Sequence, residues 1–330
     1  MKQSQRGIAL LTILIMVALA TILAAMIAKR QSATAESTAY VMRQNQSLYY
    51  AKSAESFFSE LLVDDAENAG EVDHLQETWA KPMPAFPVDD GYVAGILRDE
   101  SGKFNLNSLV DKSGKVNAQA KNWFEKLLVK AGLPAQLSEA VIDWQDADDE
   151  TSGSMGAESN YYQGLNPGYL PANNKFHSIE ELKMVRGFEG QKYLQLEPYV
   201  TANPSTEAKV NINTASAFLL ASMDERLDEK AVQNMLNTKQ TALEHFKSVN
   251  ELWDVEPFTQ VDNEKRVQLN NLLGVQSTFF RAQIEVSLGE RVRQFNSLLV
   301  RQDKKVYILK RSMAPFTPIE ISDSAQDAKY

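Results

Sequence analysis

Acidic side chains crowd one short stretch of this 330-residue chain. Six carboxylates fall within sixteen positions, at Asp143, Asp146, Asp148, Asp149, Glu150 and Glu158. Like charges at this density repel one another unless a cation neutralises them. Because the candidate ligands are hard oxygen atoms and the stretch contains neither His nor Cys, the chemistry that it favours is calcium binding rather than zinc binding.

The spacing of these acids is similar to the start of an EF-hand loop, although the match is imperfect. Asp146, Asp148 and Glu150 are two residues apart, but Thr151 stands at position six, where an EF-hand has Gly, and position twelve is not acidic. The alternative is a solvated acidic loop, which is the usual state of a charge run. Both interpretations remain open from the residues alone. The predicted ligands are Asp143, Asp146, Asp148, Glu150 and Glu158.

Aromatic residues flank the acidic stretch and help to distinguish a metal-binding loop from a solvated one. Trp144, Tyr161 and Tyr162 stand at its two ends, where they could anchor the loop to a core. The chain has no cysteine, which excludes disulfides, thiolate catalysis and Cys-type zinc sites. A metal ion is therefore a plausible way to hold such a loop in place.

The acidic stretch lies inside an internal repeat. Residues 103–108 (KFNLNS) match 209–214 (KVNINT), and 176–182 (FHSIEEL) match 246–252 (FKSVNEL) in the same order. The two motifs are 73 residues apart in the first copy and 37 in the second, so the first copy carries about 36 extra residues, among them the acids. Ser178 with Glu181, and Ser248 with Glu251, have the spacing of a capping box at a helix start. We predict two helical domains of one kind, at 102–205 and 206–275.

Such domains resemble SAM-like and helix-hairpin-helix modules, some of which bind DNA through Gly-apolar-Gly hairpins. Only residues 187–190 (GFEG) have that form here, and Glu189 would repel a phosphate. The formal net charge is -9, whereas nucleic-acid binding depends on clustered Lys and Arg. We therefore expect no nucleic-acid partner.

An uncharged apolar run begins close to the N-terminus, after a short basic leader at 1–7. Its 21 residues, Ile8 to Ala28, would form a helix of about 32 Å, which matches the roughly 30 Å hydrocarbon core of a bilayer. A cleaved secretory signal is the alternative, but its apolar core is usually shorter. Basic residues flank the run on both sides and do not settle its orientation. We predict a single transmembrane segment at 8–28.

The rest of the chain indicates a helix packed on an antiparallel sheet. Apolar spacings of three and four continue the helix through 29–63, to a total of about 55 residues. Residues 81–87 (KPMPAFP) are predicted to be an extended link, and 91–98 to be a strand. Strict alternation over 280–288, followed by 291–301 and 306–310, predicts a meander. The predicted fold class is α+β, with sheet segments at 80–101 and 276–330 that a large all-α insertion separates.

Catalytic machinery is not visible in the sequence. Its three histidines, His74, His177 and His245, are not spaced for a metal or a triad, and neither a Gly-x-Ser-x-Gly motif nor a phosphate loop is present. We therefore do not expect an enzyme.

The leader and apolar run resemble the class III signal of type IV pilins and pseudopilins. That resemblance implies cleavage by a prepilin peptidase between Gly7 and Ile8, methylation of the new N-terminus, and retention of the apolar helix. Together with DESGKFNLNSLV, DWQDADDE, GAESNYY, SIEELKMVRG and VNINTASA, they resemble the minor pseudopilin K family of the type II secretion system, also called general secretion pathway protein K.

This family resemblance implies a pilin-like fold with calcium bound in the acidic loop. It also implies a single-pass protein in the inner-membrane lipid, with its C-terminal head in the periplasm. The implied partners are minor pseudopilins I and J at the pseudopilus tip and, through them, H and the major pseudopilin G. The implied role is to prime pseudopilus assembly for export of folded proteins across the outer membrane.

Thr12 departs from the general pilin pattern, because most pilins carry Glu at the fifth mature position, counted from Ile8. That Glu pairs in lipid with the amine of the subunit added before, and an unpaired amine there is costly. A subunit without it can be first in the stack but cannot comfortably follow another. Alternatively, Thr12 is a helix-compatible residue whose hydroxyl bonds the preceding turn.

The alternative function is that of a type IV pilus minor pilin or of a membrane-anchored periplasmic interaction module. A pilus tip subunit, however, would predict a cysteine pair or a basic patch.

Overall fold

One helix dominates the computed structural model, which describes residues 5–317 and 319, with side chains from residue 8 onward. Helix α1 (Gln5–Asn68) has 64 residues and is therefore about 96 Å long. Beyond Gly7 it contains neither Pro nor Gly, and it ends just before Gly70, which has a φ of 104°. It continues five residues beyond the predicted end, where Asn68 Nδ2 donates to Asp64 Oδ1 at 2.7 Å. Residues 1–4 of the predicted leader lie outside the described residues.

Mainly the C-terminal third of α1 packs against the rest of the protein. Its buried stripe includes Ala51, Ala54, Phe58 and Leu62, at the spacing of an amphipathic helix. By contrast, the apolar residues Val41, Met42 and Tyr49 of the same helix are exposed. The sheet covers α1 only from about Ser47 onward, whereas residues 8–28 have no protein around them.

Apart from α1, most of the described strands and helices belong either to one antiparallel sheet or to a largely helical insertion. The strands are β1 (Met83–Val88), β2 (Gly91–Asp99), β3 (Phe104–Asn105), β4 (Val200–Thr201), β5 (Val210–Asn211), β6 (Leu273–Gly274), β7 (Phe279–Leu288), β8 (Arg291–Gln302) and β9 (Lys305–Ser312). The further helices are α2 (Ala118–Lys130), α3 (Leu137–Asp143), α4 (Ser159–Gln163), α5 (Gln191–Leu196), α6 (Ala217–Ala221), α7 (Glu229–Thr241), α8 (Val249–Trp253) and α9 (Asn263–Asn270). Short 3-10 helices lie at Thr78–Ala80, Leu106–Ser108, Ile179–Met184, Glu197–Tyr199 and Phe258–Gln260.

Five strands form an antiparallel sheet in the order β1-β2-β7-β8-β9. The alternation predicted for β7 is confirmed, since its apolar residues are all buried in the core beneath α1: Phe280, Ala282, Ile284, Val286 and Leu288. Helix and sheet meet closely at Gly95, where an added Cβ would lie 2.7 Å from the Phe58 ring. The long N-terminal helix and the antiparallel sheet are thus as expected. Residues 318 and 320–330 of the predicted C-terminal sheet segment lie outside the described residues.

The prediction of an extended link over 81–87 is wrong in part, because Met83–Val88 form the edge strand β1. Its residues pair antiparallel with β2, as in Phe86 with Val93. Proline lacks the backbone N–H that a central strand needs, but at an edge that donor has no sheet partner to lose. Pro84 and Pro87 are therefore compatible with this position.

The insertion enters and leaves the sheet at the same end. Asp99 closes β2 and lies opposite Phe280 of β7, so the chain departs and returns side by side. The Asp99 carboxylate accepts hydrogen bonds from Thr214 Oγ1 and Ser277 Oγ, both at 2.5 Å, and so ties the insertion to the sheet. Burial raises the pKa of Asp99 to about 6, against the opposing effect of these hydrogen bonds.

Both copies of the repeat make the same backbone contacts. Strand β3 pairs in parallel with β4, and β5 pairs in parallel with β6, so the prediction of an all-α insertion is wrong in part: each copy closes with a two-residue parallel pair. Asn107 Oδ1 accepts from Phe176 N at 2.8 Å and its Nδ2 donates to Phe176 O at 2.9 Å. Asn213 makes the same two bonds with Phe246, at the same distances. The second Asn of each Asn-x-Asn motif therefore fastens the start of the repeat to its second marker motif.

The predicted capping boxes form in only one of the two copies. Ser178 caps the helix Ile179–Met184, and the Glu181 carboxylate accepts from its backbone N–H at 3.1 Å. Ser248 precedes α8 but its side chain makes no capping bond, and Glu251 instead accepts from Lys247 N at 2.8 Å. Apolar residues of both copies belong to one continuous core. The SAM-like description of the two units stays a prediction.

Candidate functional site

Three of the predicted ligands come together in the first repeat copy. Asp143 is the last residue of α3, Asp146 follows within the next turn, and Glu158 immediately precedes α4. All three residues are buried, and one carboxylate oxygen from each lies within 4.8 Å of the others. We call Asp143, Asp146 and Glu158 the carboxylate cluster.

Hydrogen bonds account for only one member of the carboxylate cluster. Asp143 Oδ1 accepts from Ser152 N at 3.0 Å, and its Oδ2 accepts from Ala157 N at 2.8 Å. By contrast, Asp146 Oδ1 and both Glu158 carboxylate oxygens are buried and accept no hydrogen bond from the described residues. Buried polar atoms are nearly always paired, so these three oxygens require a partner that the described chain does not provide.

The electrostatics of the cluster agree with that requirement. Burial, followed by the charges of Asp143 and Asp146, raises the pKa of Glu158 to about 8. Burial and the charge of Asp148 raise the pKa of Asp146 to about 7. Burial also raises the pKa of Asp143, although its two backbone donors oppose the shift. A divalent cation would reverse these effects, because it favours the ionised form of every carboxylate around it.

These residues fit a hard cation such as calcium. The donors are carboxylate oxygens, which calcium prefers, and three of them lack any other partner. Calcium would supply positive charge between the three groups and connect the end of α3 to the start of α4.

The other two predicted ligands lie outside the carboxylate cluster. Asp148 and Glu150 are exposed, and Asp148 Oδ1 accepts from Glu150 N at 2.9 Å within a local turn. Asp148 contributes only its charge to the buried group. The regular spacing in the sequence predicted Asp148 and Glu150 as ligands, but in the folded chain both residues are exposed to solvent.

One contributor to the loop was missed in the sequence. Glu139 lies one turn before Asp143 on α3, and its Oε2 accepts from Met155 N at 2.8 Å. Gly153 lies directly against this carboxylate, since an added Cβ would be 2.4 Å from its Cδ. Helical spacing places Glu139 and Asp143 on one face, which was the available signal.

Aromatic packing holds the loop against the core, as predicted for Trp144 and Tyr162. Both are buried, with ring centroids 5.3 Å apart in an edge-to-face arrangement. Tyr161 is more exposed, and the Arg186 guanidinium lies 4.9 Å from its ring centroid. Arg186 Nη1 also donates to Gly156 O at 2.8 Å, beside the carboxylate cluster.

A second group of carboxylates, Asp65, Asp73 and Glu77, lies at the upper end of α1. Arg301 of β8 pairs with Asp65 at 2.7 Å and also with Asp73. Trp79 Nε1 donates to Glu77 Oε2 at 2.7 Å. Protein donors already satisfy this group, so it joins α1 to the sheet rather than requiring a cation.

The N-terminal segment has the properties of a membrane anchor. By length and composition, α1 is the one helix among the described residues that could cross a membrane, and the residues of its apolar run are exposed. Gly7 and Ile8 lie within the helix. Thr12 Oγ1 donates to Ala9 O at 2.9 Å, which is the local hydrogen bond expected of a helical threonine.

Known proteins resemble this chain over nearly its whole length. Family models described as type II secretion system protein K match residues 102–205 and 210–276. The chain is 35% identical to the type II secretion system protein K of Pseudomonas aeruginosa, over 95% of this chain and 94% of that relative. It is 31% identical to that of Aeromonas hydrophila, over 93% and 96%. A chain in the crystal structure of the GspK-GspI-GspJ complex from enterotoxigenic Escherichia coli superposes with a TM-score of 0.76 and 26% identity, over 84% of this chain and 99% of that chain.

Proposed function

This chain belongs to the type II secretion system protein K family and is a minor pseudopilin, and from that premise we propose that it stands at the tip of the pseudopilus. There it would bind minor pseudopilins I and J and prime the assembly that exports folded proteins. The observation that carries this proposal is the match to a chain from a GspK-GspI-GspJ complex. The match covers 99% of that chain and 84% of this one. Through I and J, the chain would connect to H and to the major pseudopilin G.

The position of the insertion supports placement at the tip. The turns at 89–90 and 289–290 close the end of the sheet nearest the membrane segment, whereas residues 102–276 leave from the opposite end. An insertion of this size, tied to the sheet through Asp99, would obstruct a further subunit above it. Subunits could still be added beneath, along the exposed lower half of α1.

The residue at the fifth mature position agrees with that order. Thr12 has no carboxylate and already bonds Ala9 O within its own helix. It therefore offers no counter-charge to the N-terminal amine of an earlier subunit, and leaving that amine unpaired in lipid is costly. The chain would accordingly be the first subunit of the stack.

The membrane and metal assignments belong to the same proposal. A prepilin peptidase would cut between Gly7 and Ile8 and the new N-terminus would be methylated. Helix α1 would then hold the protein in the inner membrane, with the head in the periplasm. Calcium would bind the carboxylate cluster, whose three unpartnered oxygens motivate this assignment.

Immunogold labelling of pseudopili tests the location. An antibody against the head should mark one end of each filament, with a labelled major pseudopilin as the control that marks the shaft. Purification of the full chain from cells that also express I and J should recover all three in one complex. Label along the shaft would refute the tip assignment. Failure to recover I and J, with secretion intact in a deletion strain, would refute the function.

A further inference from the structure

Arg186 follows the second marker motif of the first repeat copy and reaches back to the acidic stretch. Its backbone N–H donates to the Tyr162 hydroxyl at 3.3 Å, and its Nη1 donates to Gly156 O at 2.8 Å. Its guanidinium carbon lies 4.9 Å from the Tyr161 ring centroid, within the range of a cation–π contact. One residue therefore contacts the loop at three positions within 156–162.

The backbone at Arg186 is fixed in the core. Val185 and Phe188, on either side of it, are fully buried. Val185 N donates to Leu182 O at 3.1 Å, and Phe188 N donates to Val185 O at 3.1 Å across the turn that contains Arg186. The Arg186 side chain thus extends from a rigid part of the fold to a loop that has no regular secondary structure of its own.

The carbonyl that accepts from Arg186 belongs to a residue in direct contact with the carboxylate cluster. A Cβ added to Gly156 would lie 2.4 Å from Asp143 Oδ2. The N–H of Ala157 donates to that same oxygen at 2.8 Å, so Arg186 and Asp143 bind the two ends of one peptide group. Glu158 follows directly, and its carboxylate oxygens accept no hydrogen bond from the described residues. The position of the Glu158 side chain therefore depends on how firmly this peptide group is held.

The second repeat copy provides an internal comparison. Arg186 and Glu256 each lie ten residues after the Phe that opens their marker motif, and Phe188 aligns with Phe258 in the same way. Both of these phenylalanines are fully buried, and each donates its N–H to a valine three residues earlier, at 3.1 Å and 2.8 Å. The second copy has no acidic stretch, and Glu256 accepts from Thr259 Oγ1 within its own turn at 2.5 Å. The turn itself therefore does not require an arginine.

Charge attraction does not explain the arginine either. In the described part of the chain, no carboxylate lies within ion-pair distance of the Arg186 guanidinium. A positive charge close to a cation site repels the cation, so by charge alone Arg186 would weaken calcium binding. Any benefit of Arg186 to calcium binding must therefore come from geometry.

We propose that Arg186 is a positioning residue for the calcium site, which holds the peptide group 156–157 so that the Glu158 carboxylate is already placed beside Asp143 and Asp146. The inference rests on the proposed calcium site and adds to it a residue that controls its affinity. Without this contact, the loop would lose conformational freedom when the cation binds, and that loss of entropy opposes binding. Outer-shell partners of metal ligands commonly change metal affinity by about 10–100-fold.

Isothermal titration calorimetry of the full chain in detergent, with calcium, tests this role. Arg186→Met keeps the apolar stem but removes the donors, and it should raise the Kd for calcium at least about tenfold, or about 1.4 kcal/mol. Arg186→Lys keeps a charged donor and should recover part of the affinity. Lys183→Met is the matched control, because Lys183 is a cation of the same motif whose Nζ lies 4.3 Å from the Tyr193 ring centroid. It should leave the Kd unchanged.

The melting temperature in EGTA separates positioning from a structural role. It should be nearly the same for Arg186→Met and the original chain, because the second copy builds the same turn without an arginine. A lower melting temperature with an unchanged Kd would assign Arg186 to the fold alone and overturn the inference. A lower Kd would also overturn it, since charge repulsion by itself predicts that result. So would Lys183→Met weakening binding as much as Arg186→Met, or Arg186→Lys binding no better than Arg186→Met. Absence of calcium binding by the unaltered chain would instead overturn the proposed calcium site.

Discussion

Removing charge from the carboxylate cluster should stabilise the metal-free protein and abolish its response to calcium. The change is Asp146→Asn together with Glu158→Gln, which keeps the side-chain shapes. Two ionised carboxylates 4.8 Å apart repel by about 3 kcal/mol at an effective dielectric constant of about 20. The substitutions leave Asp143 as the only charged member, so all three repelling pairs among the cluster are removed. We therefore expect the metal-free variant to gain at least about 3 kcal/mol, the repulsion of one pair, in free energy of unfolding at pH 9.

This gain should depend on pH in a definite direction. The folded-state pKa values of Asp146 and Glu158, about 7 and about 8, lie above their ordinary values. Groups raised in this way contribute stability that is fully present at acidic pH, below about 4, and is lost as pH rises through 7 to 8. The variant and the original chain should therefore differ little at pH 4, by an intermediate amount at pH 5.5 and most at pH 9. Calcium should likewise raise the melting temperature of the original chain more at pH 9.

Differential scanning calorimetry of the full chain in detergent, with calcium or EGTA, provides the measurement. A difference of about 3 kcal/mol corresponds to a shift of roughly 6–12 °C in melting temperature. Glu150→Gln is the matched control, because it removes one exposed charge from the same loop and should preserve the calcium response. A variant that is less stable than the original chain in EGTA at pH 9, or that still responds to calcium, would refute the reasoning.

Three further predictions concern the anchor and the connection between helix and sheet. Gly7→Ala should give a protein of unprocessed mass that anchors but does not support secretion, and normal processing by mass spectrometry would count against the signal assignment. Thr12→Glu should make the subunit more frequent within the shaft in immunogold counts, and an unchanged distribution would contradict the pairing argument. The fully buried Glu55 carboxylate pairs with Arg311 and accepts from Ser297 Oγ. Glu55→Ala would leave Arg311 unpaired and should therefore lower the free energy of unfolding by about 3–5 kcal/mol. Denaturant titrations measure this loss. A loss below about 1 kcal/mol would show that water already solvates the pair.

The sequence alone predicted the features that depend on local periodicity. The apolar run at 8–28 and the absence of Pro or Gly between Gly7 and Gly70 indicated one long helix. Strict alternation placed the inward side chains of β7 correctly. The two Asn-x-Asn motifs indicated a repeat, and Asn107 and Asn213 make equivalent contacts. Each of these signals lies within a few residues, where backbone geometry fixes which side chains share a face.

Tertiary packing decided which acids form the candidate site. The sequence offered Asp148 and Glu150 as ligands on spacing alone, yet both are exposed, while Asp143, Asp146 and Glu158 are brought together. That selection depends on Trp144 and Tyr162, which pack the two ends of the loop into the core. The distance between Asp146 and Glu158 is a property of this packing, and no local pattern encodes it.

Long-range pairing is likewise a property of the folded chain. Residues 83–88 form a strand because they pair with the edge of β2, although their two prolines indicated a link. The Tyr40 ring lies beneath the guanidinium groups of Arg291 and Arg293, some 250 residues later, which sequence spacing could not reveal. Local sequence propensity determined which secondary structure each segment of this protein can form. Burial against distant segments determined which of its charged groups come into contact.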